Sequence, residues 1–129
     1  MKTSVLFRLS LLVALLVLGP GCGSKTFPAE ADPDQAREAL RMALETWQKG
    51  ERPEVLGELA SPVTMGDEDW QAGHRLVRYR LTDRAERIGV GLRCGASLTL
   101  QRPKGRIVQK TVTYRVQTEP RLVIVREDL

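Results

Sequence analysis

Histidine, cysteine and aromatic residues are scarce in this chain, with one His, two Cys and 5% aromatics in 129 residues. The single histidine, His74, has no second metal ligand spaced near it, and neither cysteine has a histidine beside it to form a nucleophilic dyad. Two cysteines allow at most one disulfide. No apolar run reaches the ~20 residues that a helix needs to cross a bilayer core. Internal repeats and low-complexity tracts are also missing. The hydrophobic share of 42% and charged share of 28% are those of an ordinary globular chain.

The longest apolar run, Leu9 to Leu18, follows Lys2 and Arg8 and ends at Gly19-Pro20. A positive n-region, a short apolar h-region and small residues at Gly19 and Gly21 mark a cleavable export signal. Cleavage before Cys22 would leave residues 22–129, enough for one modest core. Together, Leu18, Gly21 and Cys22 with the following Gly23-Ser24 resemble the lipobox of bacterial lipoproteins. Here Leu18 lies four residues before the cysteine instead of three, and Pro20 stands where Ala or Ser is usual. The resemblance implies lipidation at Cys22, anchoring at a membrane of the cell envelope and an extracytoplasmic domain. Without acylation the same signal predicts a secreted protein. Residues 1–21 are thus assigned as signal, 22–32 as anchor and tether, and 33–129 as a single domain.

The domain begins with a helix signature: Asp32 as N-cap, Pro33 at the first helical position and Gln35 completing a capping box. Ala36, Ala39, Leu40, Ala43, Leu44 and Trp47 keep the 3.6-residue period, and Gly50 closes the helix. A second, shorter helix is expected from Pro53, presenting Val55, Leu56, Leu59 and Ala60 until Ser61-Pro62 stops it. The run Gly66-Asp67-Glu68-Asp69 lacks the ligand spacing of a calcium loop and reads as a solvated acidic turn.

After Trp70 the period becomes 2. Val77, Tyr79 and Leu81 form one apolar face, and Ile88, Val90, Leu92, Cys94, Ala96, Leu98 and Leu100 extend it along a long strand whose glycines mark bends. Arg102-Pro103-Lys104-Gly105 is a hairpin turn, after which Val108, Val112, Tyr114 and Val116 continue the face. A turn at Thr118 to Arg121 leads to a last strand from Leu122. The expectation is an α+β fold: one long helix and a short one on a curved antiparallel sheet of about four strands. This order resembles the cystatin-like and NTF2-like folds. Residues Asp69 to Tyr79 also look like a stretch of small uncharacterised bacterial lipoproteins, which implies no activity.

Enzymes of the NTF2-like kind place acids, His or Tyr between helix and sheet. In this chain the inward phase offers only Tyr79, Tyr114, Cys94 and Lys110, so these four are the candidate pocket residues, and no catalytic residue, metal or cofactor is expected. Cys94 reads as a small buried hydrophobe. A local bulge or snorkelling would account for Lys110, and His74 reads as a surface or turn residue. Trp47 and Trp70 read as core or rim packing.

Charge is divided unevenly. Residues 22–70 carry 5 Lys+Arg and 11 Asp+Glu, whereas residues 71–129 carry 13 and 5. Arg78, Arg80, Arg93 and Arg115 fall in the outward phase among Thr and Gln, which predicts a basic, polar sheet face. Such a face serves as a solvated outer surface that keeps the sheet unpaired, or suits an anionic surface or an acidic protein; it does not suit nucleic acid, because aromatic residues are not interleaved on it. The sequence therefore favours an anchored binding or assembly module. Its alternatives are a pocket protein, either carrier or enzyme, and a homodimer through the outer sheet face.

Overall fold

The computed structural model describes residues 31–127. The expected signal, Cys22 and nearly all of the tether lie outside the described residues. Helix α1 spans Pro33–Gln48, with the Asp32 carboxylate accepting the Asp34 N–H at 3.0 Å. Its stripe Ala36, Ala39, Leu40, Ala43, Leu44 and Trp47 is buried throughout, as the period requires. The helix ends in a Schellman motif: Gly50 N–H donates to Trp47 O, Glu51 N–H to Thr46 O, and Gly50 takes φ +85°. The second, shorter helix begins at Pro53 as expected; it is a 3-10 helix, Pro53–Glu58, and buries Leu56.

Five strands form one sheet: β1 Val63–Gly66, β2 Arg75–Ile88, β3 Gly91–Gln101, β4 Ile107–Gln117 and β5 Leu122–Glu127. Their order is β1-β5-β4-β3-β2, with β1 parallel to β5 and every other pair antiparallel. The class is α+β, but the sheet is mixed and has one strand more than the sequence suggested. The extra strand, β1, is too short to show a period of its own and draws its hydrogen bonds from a strand far along the chain.

Two further expectations are corrected around β2. The strand runs unbroken into a two-residue turn at Gly89-Val90, where Gly89 takes φ +60°, so Ile88 and Val90 do not belong to β3. The bends occur in β2 instead of at the glycines of β3: register shifts fall between Leu76 and Arg78 and between Leu81 and Ala85. The first shift turns Val77 out to 42% exposure and buries Leu76 in its place. In the second, Arg37 of α1 donates to Thr82 O at 2.7 Å, tying the helix to the bulged segment.

The helix and the inward rows of β2 to β5 enclose one core, whose largest fully buried side chains include Trp47, Tyr114, Leu40, Leu98 and Ile124. Trp47 stacks on Trp70 with ring centroids 5.3 Å apart and planes 9° from parallel. Each indole N–H is satisfied at 2.8 Å, Trp47 by His74 O and Trp70 by Glu51 O. This pair fastens the end of α1 to the chain leading into β2, adding about 0.5–1.5 kcal/mol beyond its buried area. Among the described residues, no helix is long and apolar enough to cross a membrane.

Candidate functional site

The acidic run is not a solvated turn. Asp67 ends the link from β1 and N-caps a one-turn helix α2, Glu68–Gln71, accepting from Asp69 N at 2.9 Å and Trp70 N at 3.1 Å. Capping holds the Asp67 carboxylate inward, and Asp67 and Asp69 are 2% and 6% exposed. They meet the inward rows of β4 and β5, where Arg126 stands opposite Tyr114, and Lys110 lies four residues before Tyr114 on the same face. The Tyr114 hydroxyl donates to Asp67 Oδ2 at 2.5 Å, and Arg126 Nη1 donates to Asp67 Oδ1 at 3.3 Å and to Asp69 Oδ2. Lys110 Nζ reaches Asp69 Oδ2 at 2.9 Å. No bulge places Lys110 there, because the β3–β4 register is continuous.

Two carboxylates thus face two cations, and the cluster neutralises itself. Burial alone would raise the Asp69 pKa, but the hydrogen bonds from Arg126 and Lys110 outweigh it and hold the carboxyl below its usual range. Burial, reinforced by the Asp67 carboxylate, pushes the Tyr114 phenol far up, so Tyr114 stays a donor at every physiological pH. His74 approaches from the far side, with Nδ1 3.2 Å from Asp69 Oδ1. Its angle is poor, and this buried nitrogen makes no directed hydrogen bond.

The four candidate pocket residues do not share a cavity mouth. Tyr114 and Cys94 are paired across β3 and β4 and closed off, at 0% and 2% exposure. Burial raises the Cys94 thiol pKa despite the opposing charge of Arg37, which suits an inert thiol. The Tyr79 hydroxyl lies 3.2 Å from Glu45 Oε1 on α1, with Leu98 between Tyr79 and Lys110 in the row across the sheet. Only Lys110 borders an open groove, of about 600 Å³, which it shares with Asp69, Arg126 and Glu127. A second cleft, of about 590 Å³, opens beside Trp47, Trp70, His74 and Arg75 at the end of α1. Among the described residues, no group of three or more His, Cys, Asp or Glu is placed to hold a metal ion.

On the outer face the four arginines divide into two pairs. Arg93 and Arg115 are cross-strand neighbours held by one carboxylate, Glu127, at 2.9 and 2.7 Å, with Glu86 3.8 Å from Arg93. Arg78 and Arg80 are exposed and have no ion-pair or hydrogen-bond partner among the described residues. Beside Arg78 lies a shallow depression of about 390 Å³ lined by Arg78, by Ser97 to Thr99 of β3 and by Gln109 to Thr111 of β4. The expected basic face is therefore concentrated at the β2 side of the sheet.

No protein-family model, curated protein or solved structure matches this chain. The site must be read from its own chemistry. Sequence reasoning missed the Asp67–Asp69 cluster, although two cations in the inward phase, Lys110 and Arg126, were its signal. Cations there need counter-charges, and the pattern of the strands did not say which distant carboxylates supply them.

Proposed function

We propose that this chain is an exported, lipid-anchored binding module of the bacterial cell envelope, tethered through Cys22 and engaging an anionic partner with the outer face of its sheet. One observation carries the reading: the cations Lys110, Arg126, Arg93 and Arg115 have carboxylates beside them, whereas Arg78 and Arg80 are left exposed. Uncompensated cations on a rigid polar sheet cost little in water and favour an incoming anion. The closed inner face supports recognition at the surface over an internal pocket. The order of helix and strands supports kinship with cystatin-like and NTF2-like domains, with β1 added at the edge beside β5.

Intact mass of the detergent-solubilised protein from a bacterial host tests the anchor. The expected result is a chain beginning at Cys22 and carrying acyl mass, released from membranes by Cys22→Ala. Another N-terminus, or an unmodified Cys22, overturns it.

A second reading, a small-ligand pocket protein, draws support from the cleft beside Trp47, Trp70 and His74. A reproducible small-molecule adduct in the native mass spectrum would favour it.

A further inference from the structure

The outer face of β2 to β4 is an ordered array. Cross-strand pairing lines up Arg78 with Thr99 and Gln109 in one row, and Arg80 with Ser97 and Thr111 in the next. Rows on one sheet face repeat every ~7 Å along a strand, and neighbouring strands lie ~4.8 Å apart. The result is two cations at one margin and hydroxyl and amide groups across the rest, with the depression of about 390 Å³ bordered by Arg78 and not by Arg80. No side chain in these two rows is apolar or aromatic. The nearest carboxylate on this face in the β4–β5 ladder, Glu127, is already held by Arg93 and Arg115.

We infer that this array binds an anionic glycan strand, a sugar polymer bearing carboxylate groups. The inference rests on the binding-module reading above and names the ligand class. Each feature of the array has a counterpart in such a polymer. Hydroxyls and amides exchange hydrogen bonds with sugar hydroxyls, and the two guanidiniums match carboxylates bidentately. An open depression admits a chain that continues beyond it in both directions. A protein partner would call for an apolar centre, which these rows lack. A bilayer would engage the two cations by charge alone and make no use of the hydroxyl and amide groups set in register beside them. The exposed Val77 and Ile107 flank the array at its hairpin end and do not enter it. Arg102, Lys104 and Arg106, in the exposed hairpin beyond that end, extend the positive field and steer the polymer toward the array.

The test is titration of the full detergent-solubilised protein with galacturonic acid oligomers, with the methyl-esterified oligomers as the uncharged counterpart. The acidic oligomer is expected to bind, the ester at least tenfold more weakly, and added salt to weaken the acidic form. Arg78→Gln with Arg80→Gln should reduce affinity at least tenfold without moving the thermal midpoint. Ser97→Ala with Thr111→Ala should reduce it severalfold at unchanged charge, which a purely electrostatic contact would not show. Arg121→Gln, in the exposed turn between β4 and β5, should leave it unchanged. Equal binding of acid and ester, or indifference to the Arg78 and Arg80 changes, overturns the inference. So does preferential binding of phosphatidylglycerol vesicles by Cys22→Ala protein in the same assay, which would make a bilayer the occupant. Acylation of Cys22 is read separately by mass, so loss of the anchor and loss of glycan binding are distinct results.

Discussion

A carboxylate with two cations within hydrogen-bond reach gives up its charge only in strong acid. Asp69 is in this position, and its folded pKa lies below the value of ~3.9 expected for an unfolded chain. Because the folded value is the depressed one, the stabilisation is fully present above the unfolded pKa. It is lost as pH falls through ~4 toward the folded pKa. Lys110→Met removes the half-exposed partner and leaves Arg126 in place. We expect the variant to be less stable than the parent by about 1–3 kcal/mol at pH 7, with a smaller gap at pH 3, below the unfolded pKa. Urea unfolding at both pH values measures this, and a gap of the same size at both would mean that Lys110 contributes packing rather than charge. The pairing was hard to read in the sequence because its members lie far apart: Lys110 is 41 residues from Asp69, and Arg126 is 57. Local pattern sees only Gly66-Asp67-Glu68-Asp69, a string of polar residues that turns and solvated loops also use.

Elements whose evidence lies within their own length were legible. Helix α1 carries its cap, stripe and terminating glycine within one stretch, and all three are where the period places them. β1 and the bulges of β2 depend on partners; the sequence reading missed the strand and placed the bends on β3. A strict alternation puts Val77 inside; one extra residue at that point buries Leu76 instead. The second irregularity has a structural counterpart on β3. A Cβ added at Gly95 would stand 2.9 Å from Thr82 Oγ1 and 3.3 Å from Thr82 Cγ2, too close for either to stay. Thr82 Oγ1 also donates to Gly95 O at 3.2 Å, so the glycine lets the bulged segment settle onto β3. Gly95→Ala should destabilise the fold by about 1–3 kcal/mol, as overpacking does. Thr82→Ala in the same chain should restore much of that loss, and a double-mutant cycle by thermal unfolding reads the coupling. Additive effects would place the strain elsewhere.

At the scale of the whole molecule, the charge imbalance of the sequence becomes a direction. The described chain enters the fold at the turn between β2 and β3, where Ala31 N–H donates to Val90 O at 2.9 Å. The basic hairpin Arg102 to Arg106 lies at the other end of β3, whose 11 residues span about 33 Å. Ala31 lies nine residues after Cys22, a reach of at most ~32 Å. If Cys22 is the anchor, as proposed, it would keep the Gly89-Val90 end within that reach of the membrane, and we expect the cationic end to face outward. Dyes placed at Val90→Cys and at Lys104→Cys report the two ends separately, since the native thiol Cys94 is buried. In vesicles containing phosphatidylglycerol and a lipid-borne quencher, the dye at position 90 should be quenched strongly and that at 104 weakly. Added galacturonic acid oligomer should shield position 104 from a soluble quencher. Equal lipid quenching at both positions would lay the domain flat, with its arginines on the headgroups. The long axis of β3 would then run along the bilayer, and the array around Arg78 would not be presented to a glycan.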